Sequence, residues 1–572
     1  MKISEVVSHF ISEIGTRVVF GVSGGASLHL LNAVQSSARI RLVCLHHEQS
    51  VAMAAESYSR LTHEVGVGIV TSGPGATNLV TGIAGAFYDS IPCIYITGQV
   101  SVNRSKGDTG VRQRGFQETP IVEMVREITK YAVSVVTPDQ VIPALIKGYE
   151  LATTGRMGPV LIDIPDDIQR MEVVAPIRFL EKSNLDPLAD DLKDDFVEFS
   201  RLLSDAERPV IILGSGLKYS KNSEYIKELL TQSSIPISTT WGAKELVSAS
   251  NPALLGTFGT HGSRFANVVI QKADLIISIG SRLDLKATGT PVDSFAPNAK
   301  KVMFDIDTHE SGKFRGSGMN IDLPLSVDLS SSLFQKFFNR ITEEFDNYPK
   351  WMIEINSCRE GLSPEKRVFA AEGINPYDFI SILSDAAPSE LNLLIDTGCA
   401  IAWTMQSWNV KLGQTIIHDF NNTAMGWSIP ATIASIYTLE PKQTYCIVGD
   451  GSIMMSLGEL ASLKNTKRNV VIFLLNNAGY AMIKQTQDQW FGSNYFASDS
   501  DRDLIFPDFR KLSSAFEFDY TLIESLADLE NLLPLLRENV GVKFCEIKIQ
   551  HDARVIPIVK FGNPNHLMEP EN

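Results

Sequence analysis

The chain has 572 residues, and its 51 Lys and Arg against 66 Asp and Glu leave a net charge of −15. That length exceeds a single hydrophobic core and suggests about three domains, while the acidic balance excludes nucleic acid or an anionic membrane as the main partner. No apolar run reaches bilayer-spanning length, and Met1-Lys2-Ile3-Ser4-Glu5 leads into an amphipathic helix instead of a signal peptide. Short β-branched runs then alternate with amphipathic helices, which predicts an α/β fold of three doubly wound parallel-sheet domains. The first, residues 1–172, has expected strands near 18–22, 41–45, 67–71, 93–97 and 160–164. A polar linker over 176–195 precedes a central Rossmann-like domain, 190–340, with strands near 210–213, 236–239, 275–279 and 302–306. A charged connector over 343–372 leads to the third domain, 370–555, with strands near 391–395, 415–418, 445–448, 470–475 and 544–549. A tail, 556–572, closes the chain. Six scattered cysteines (Cys44, Cys93, Cys358, Cys399, Cys446, Cys545) show no CxxC spacing, which suits a reducing cytoplasm.

The chemistry-bearing turns fall at the ends of these strands. Gly24-Gly25-Ala26 is a strand-to-helix turn whose backbone N–H groups can face a developing oxyanion. His46-His47-Glu48-Gln49 closes one strand and opens a helix expected over 50–60. Far downstream, Gly449-Asp450-Gly451-Ser452 ends an apolar strand, a helix is expected over 457–465, and the next strand delivers Asn476-Asn477. A glycine-flanked aspartate puts a carboxylate beside backbone that can approach a phosphate. Helix N–H groups add a positive field, and hard oxygen ligands beside a diphosphate suit Mg²⁺.

Gly449-Asp450-Gly451 followed by Asn476-Asn477 resembles the signature of enzymes that bind thiamine diphosphate through a divalent metal. His46 to Gln49, Thr71-Ser72-Gly73-Pro74-Gly75-Ala76-Thr77-Asn78 and Thr97-Gly98-Gln99 are similar to the acetolactate synthase group of that family. The resemblance covers nearly the whole chain. It implies pyrimidine-binding and diphosphate-binding outer domains, with Asp450, Asn477 and the Gly479 carbonyl as Mg²⁺ ligands and Glu48 protonating the cofactor's aminopyrimidine. Gly24, Pro74, Asn78, Gly449, Gly451, Ser452, Tyr480 and Met482 would line the cofactor. Met425, in Thr423-Ala424-Met425-Gly426-Trp427, would prop it into its bent shape. Gln117 matches an active-site glutamine, and Phe116 would supply apolar wall. The implied assembly is a homodimer or homotetramer with sites between subunits.

In the central domain Gly214-Ser215-Gly216, Thr260-His261, Arg282 and Asp305 resemble the FAD-contacting turns of the anabolic acetolactate synthases. Glycine-rich strand ends also occur in any doubly wound domain, and FAD here would be structural. Departures concern the acceptor. An Asp-Asp-Arg run of the family reads Asp284-Leu285-Lys286, so a point charge replaces a bidentate fork, and a family tryptophan is Thr486. His29, beside the glycine turn, is a further departure that a packing role also explains. The implied activity is decarboxylation of pyruvate and transfer of its two-carbon acetaldehyde unit to a carbonyl acceptor. A keto sugar as acceptor and a flavin-dependent pyruvate oxidase are the alternatives. A protein that kept the fold and lost catalysis fits less well, because Glu48, Asp450 and Asn477 are all present.

Overall fold

The computed structural model describes all residues except 175–178, 180–191, 363–366, 441, 539 and 571–572. Its first sheet comprises β1 (Val18–Gly21), β2 (Arg41–Cys44), β3 (Gly66–Val70), β4 (Cys93–Gln99), β5 (Tyr131–Ser134) and β6 (Pro159–Pro165). They are ordered β2-β1-β3-β4-β6-β5, all parallel. The second sheet has β7 (Pro209–Leu213), β8 (Ile237–Thr239), β9 (Leu254–Thr257), β10 (Leu275–Ile279), β11 (Lys300–Asp305) and β12 (Leu323–Ser326). Its order, β12-β11-β10-β7-β8-β9, is that of a dinucleotide-binding sheet. The third has β13 (Leu391–Ile395), β14 (Thr415–Ile417), β15 (Gln443–Gly449), β16 (Asn469–Asn476), β17 (Asp519–Ile523) and β18 (Gly541–Lys548). It runs β14-β13-β15-β16-β18-β17, strand for strand the topology of the first. A short antiparallel pair in the tail, β19 (Ile558–Val559) and β20 (Met568–Glu569), completes the strands of the described residues.

Central strands are apolar on both faces because helices cover both. Val470 to Leu474 on β16 are fully buried, as parallel sheets require. Four strands absent from the sequence reading, β5, β9, β12 and β17, are all edge strands. Their partly exposed residues, and Gly256 in β9 and Pro324 in β12, break the apolar run that marks a buried strand. The connector expected over 343–372 contains a helix, Pro349–Gly361, whose Trp351 and Ile355 are buried. The helix expected over 457–465 is shorter, Leu460–Leu463, and is preceded by a short helix Asp450–Ile453 and a 3₁₀ stretch Met454–Glu459. Most of the expected linker over 176–195 lies outside the described residues. Its end opens the helix Lys193–Asp205.

Two buried polar joints fix the domains. The exposed edge of β14 is capped by the middle domain: Lys218 Nζ donates to the Ile416 carbonyl at 3.2 Å, Glu245 accepts the Ile416 N–H, and the two side chains pair at 3.0 Å. The helix Glu48–Thr62 packs on the helix Ser428–Ser435 of the third domain. There Arg60 pairs with Glu56 and Asp89, Trp427 Nε1 donates to Glu56 at 3.2 Å, and the Phe420 N–H donates to Asp89 at 2.8 Å. No helix is long and apolar enough to cross a membrane among the described residues.

Candidate active site

The first sheet gathers its residues around Thr71, just past β3. A side chain at Gly24 would start 2.4 Å from Thr71 Cγ2, and one at Gly75 would start 2.8 Å from the same atom. Both positions therefore need glycine. The Ala26 N–H donates to Thr71 Oγ1 at 3.2 Å, which ties the glycine turn to this centre. Gly25 begins a 3₁₀ turn and faces open space. Glu48 is the first residue of its helix, where the dipole favours a carboxylate. Its Oε2 accepts from Asn78 Nδ2 at 2.9 Å, and its Oε1 lies 3.4 Å from where a side chain on Gly75 would begin. Pro74 opens the turn Pro74–Asn78 after Gly73, whose φ is +62°. Gln117 also has a positive φ, +62°, and its Cβ lies 2.9 Å from where a Gly73 side chain would start. Phe116, expected as apolar wall, is 85% exposed in the single chain. His29 is exposed on its helix and lines a surface groove with Ser8 and Asn32.

The third sheet presents a buried carboxylate at the tip of β15. Asp450 Oδ2 accepts from the N–H groups of Asn477 and Gly479, each at 3.1 Å, and Oδ1 accepts from Gly451 N–H at 2.7 Å. Burial pushes the pKa of Asp450 up to about 7 against the lowering pull of those N–H groups. A cation would offset that cost. The side-chain amide of Asn477 is buried with Nδ2 unpartnered. A carboxylate, an amide oxygen and a peptide carbonyl form an all-oxygen donor set, and that set fits Mg²⁺. The Tyr480 ring lies against Gly451, where a side chain would start 2.0 Å from its Cε1. Met482 packs on the third core. Thr486 is exposed and donates to the Met482 carbonyl at 3.1 Å.

Met425 precedes Gly426, whose φ is +80° and which sits 3.2 Å from the Ser452 carbonyl, measured from where a side chain would start. The Met425 and Asp450 turns are thus adjacent. Asp396, past β13, joins them. It is fully buried and accepts from Gly426 N–H at 3.1 Å, Ser428 N–H at 2.9 Å and Ser428 Oγ at 2.7 Å. The helix Cys399–Ser407 starts beside it after Gly398, φ +81°, so two helix N-termini follow the neighbouring strands β13 and β15, an arrangement suited to a diphosphate. Sequence reasoning missed Asp396 and Gly398, although Ile395-Asp396-Thr397-Gly398 repeats the strand–aspartate–glycine pattern of the later motif. It also missed Glu459, buried, whose Oε1 accepts from His46 and His47 N–H at 3.1 and 3.0 Å. Among the described residues no hydrogen bond or ion pair joins Glu48 or Asn78 to Asp450 or Asn477.

A cleft of about 100 Å³ lies between the C-terminal ends of β7 to β10, with Thr260, His261, Arg282, Lys286 and Trp241, and the outer domains, which contribute Arg60, Asp89, Phe420 and Asn421. Lys286 brings its ammonium over the Trp241 ring, 5.1 Å from its centre, and burial lowers its pKa. Burial pushes His261 down to about 4, so it is neutral near pH 7. Thr260 N–H donates to the Lys286 carbonyl at 2.8 Å. Asp305 ends β11 with its pKa pushed up to about 6 by burial. Gly214 is required by packing, since a side chain there would start 2.1 Å from the Gly280 carbonyl oxygen, and Gly216 is tightly packed, with a side chain starting 3.1 Å from Gly280 Cα. Those two glycines and Asp305 do not line the cleft.

Family models match in chain order: the thiamine pyrophosphate enzyme N-terminal TPP binding domain over residues 1–124, the central domain over 198–335 and the C-terminal TPP binding domain over 396–547. The large subunit of acetolactate synthase from Lactococcus lactis is 30% identical, over 98% of this chain and 94% of its own length. Chloroplastic acetolactate synthase 2 of Zea mays is 30% identical over 98% and 87%, and acetolactate synthase 1 of Nicotiana tabacum 31% over 98% and 84%. With sheets, turns and relatives agreeing along nearly its whole length, the chain belongs to the thiamine pyrophosphate enzyme family.

Proposed function

We propose that the protein is a thiamine diphosphate-dependent carboligase that decarboxylates pyruvate and transfers the two-carbon unit to a second 2-oxo acid, a reading supported by relatives that are named acetolactate synthases. Thiamine diphosphate, when bound, supplies the electron sink that lets a 2-oxo acid lose carbon dioxide and the remaining unit join a carbonyl. Asp450, Asn477 and the Gly479 carbonyl would hold Mg²⁺, and the Mg²⁺ would hold the diphosphate. The observation that carries this reading is the buried Asp450 carboxylate, fixed by three backbone N–H groups beside a helix N-terminus. Glu48 would pass a proton to and from the cofactor's aminopyrimidine through its carboxyl oxygens, with Asn78 fixing their orientation. Asp396 would hold Met425 in place through Gly426.

A second copy would bring its Glu48 to this chain's Asp450, in a homodimer or homotetramer. FAD would sit at the middle cleft. The donor set there suits it, but about 100 Å³ is less than the roughly 300 Å³ at the low end of ligand sites, so Lys286 and Trp241 would have to move. The relatives favour an acetolactate-type acceptor over a keto sugar or over oxidation. Six unpaired cysteines suit a reducing cytoplasm. Incubation with pyruvate, Mg²⁺ and thiamine diphosphate, followed by mass spectrometry, tests the reading. Acetolactate without added acceptor is expected. Absence of CO₂ release would contradict it.

A further inference from the structure

We propose that the loop from Ser101 to Glu118 is an anion-collecting rim that concentrates 2-oxo acid anions at the Glu48 end of the site, an inference that rests on the pyruvate reading above. The loop carries Arg104, Lys106, Arg112 and Arg114 against Asp108 and Glu118, in a chain whose net charge is −15. Arg104, Arg112 and Arg114 are exposed and Lys106 is half-buried. Among the described residues, none of the four lies within ion-pair distance of a carboxylate. Lys106 Nζ reaches the Arg112 carbonyl at 3.4 Å and Arg114 reaches the Ser105 carbonyl at 3.3 Å.

The loop is nevertheless held in shape. Glu118 accepts from the backbone N–H groups of Lys106 at 2.6 Å, Arg114 at 3.0 Å and Gly115 at 3.1 Å. Its carboxylate is thus engaged chiefly by the main chain, and none of the four cations forms an ion pair with it. The loop's last residues reach the site: Gln117 abuts Gly73, which opens the turn whose Asn78 holds Glu48. It follows β4, the counterpart of β16, and the loop after β16 carries Asn477 and Gly479. Equivalent strand ends thus carry cations in one domain and oxygen donors in the other. Cations without a carboxylate partner beside a site raise the local concentration of anions, an effect screened over about 8 Å at physiological ionic strength.

Steady-state CO₂ release from pyruvate, at low and high salt, tests this on the intact protein with Mg²⁺ and thiamine diphosphate. In the combined Arg104→Gln, Lys106→Gln, Arg112→Gln, Arg114→Gln variant, KM for pyruvate should rise on the order of 3- to 10-fold at low salt, with kcat and thiamine diphosphate affinity unchanged. The gap should close at high salt, KM for a neutral aldehyde acceptor should not move, and Arg104→Lys, Arg112→Lys, Arg114→Lys should restore the low KM. An unchanged KM at low salt, or a rise equal at all salt concentrations, would overturn the rim while leaving the pyruvate reading standing. No CO₂ release from the unmodified protein would overturn both.

Discussion

The first and third sheets share one topology and differ in what their strand ends carry. In the first, glycines crowd Thr71 and leave a carboxylate, Glu48, at a helix N-terminus with one amide partner. In the third, Asp450 is buried, saturated by backbone N–H groups and flanked by Asn477. In the proposed reading the same scaffold would serve proton handling in one copy and cation holding in the other, with function carried by the loops. The likeness extends to the sixth strand. Asp163 on β6 accepts from Thr97 at 2.7 Å, Gln99 at 3.1 Å and Ser134 at 3.1 Å. Glu546 on β18 accepts from Asn476 at 2.7 Å and Tyr520 at 2.7 Å, with Lys548 beside it at 2.8 Å. That lysine separates them. Burial raises Asp163 to about 6, whereas hydrogen bonds from Lys548, Tyr520 and Asn476 hold Glu546 below the usual range despite burial.

Disabling the proton-handling copy should have the largest effect. Glu48→Gln should cut CO₂ release by about 10²- to 10⁴-fold, the usual worth of a general acid–base group, with the fold intact by circular dichroism. Breaking the joint between the two copies comes next. Arg60→Met leaves Glu56 and Asp89 buried without their cation, a change that typically costs about 3–5 kcal/mol, read as a fall in unfolding free energy in denaturant. In the cation-holding copy, Asp450→Asn should weaken thiamine diphosphate uptake with Mg²⁺ by more than the roughly 10- to 100-fold that loss of an outer-shell partner costs, read by calorimetry.

The smallest effect distinguishes the two sixth-strand carboxyls by pH. Asp163 is raised from 3.8 to about 6. Between those values it stays protonated when folded and ionises when unfolded, so stability falls by about 3 kcal/mol as pH rises from about 4 to about 6 and is level above. Asp163→Asn should flatten that slope in unfolding free energy against pH. Glu546 has the opposite sign. Its stabilisation is present above the ordinary glutamate range and is lost as pH falls through its lowered folded value, and Glu546→Gln should remove that acid-side loss.

The central strands, the glycine turns and the Asp450–Asn477 pair were legible in the sequence because each is local: a continuous apolar run, or a motif within thirty residues. β5, β9, β12 and β17 were not, since these four edge strands are half-exposed and lose the run, whereas the edge strands β2 and β14 were read from their short apolar runs. Asp396, Glu459 and the Glu56–Arg60–Asp89 joint were also hidden. Each works through a partner made near only by folding, 413 residues away for Glu459 and His46. The shared topology of the outer sheets emerged only once the edge strands were in place.

The claim that one chain's first domain and another's third domain build each site is tested most directly by mixing two inactive variants. Glu48→Gln and Asp450→Asn chains, refolded or expressed together, should recover about a quarter of full CO₂ release, because half the dimers are mixed and each has one intact site. No recovery, with mixed dimers shown to form, would mean that the two carboxylates serve the same site from one chain, contrary to this account.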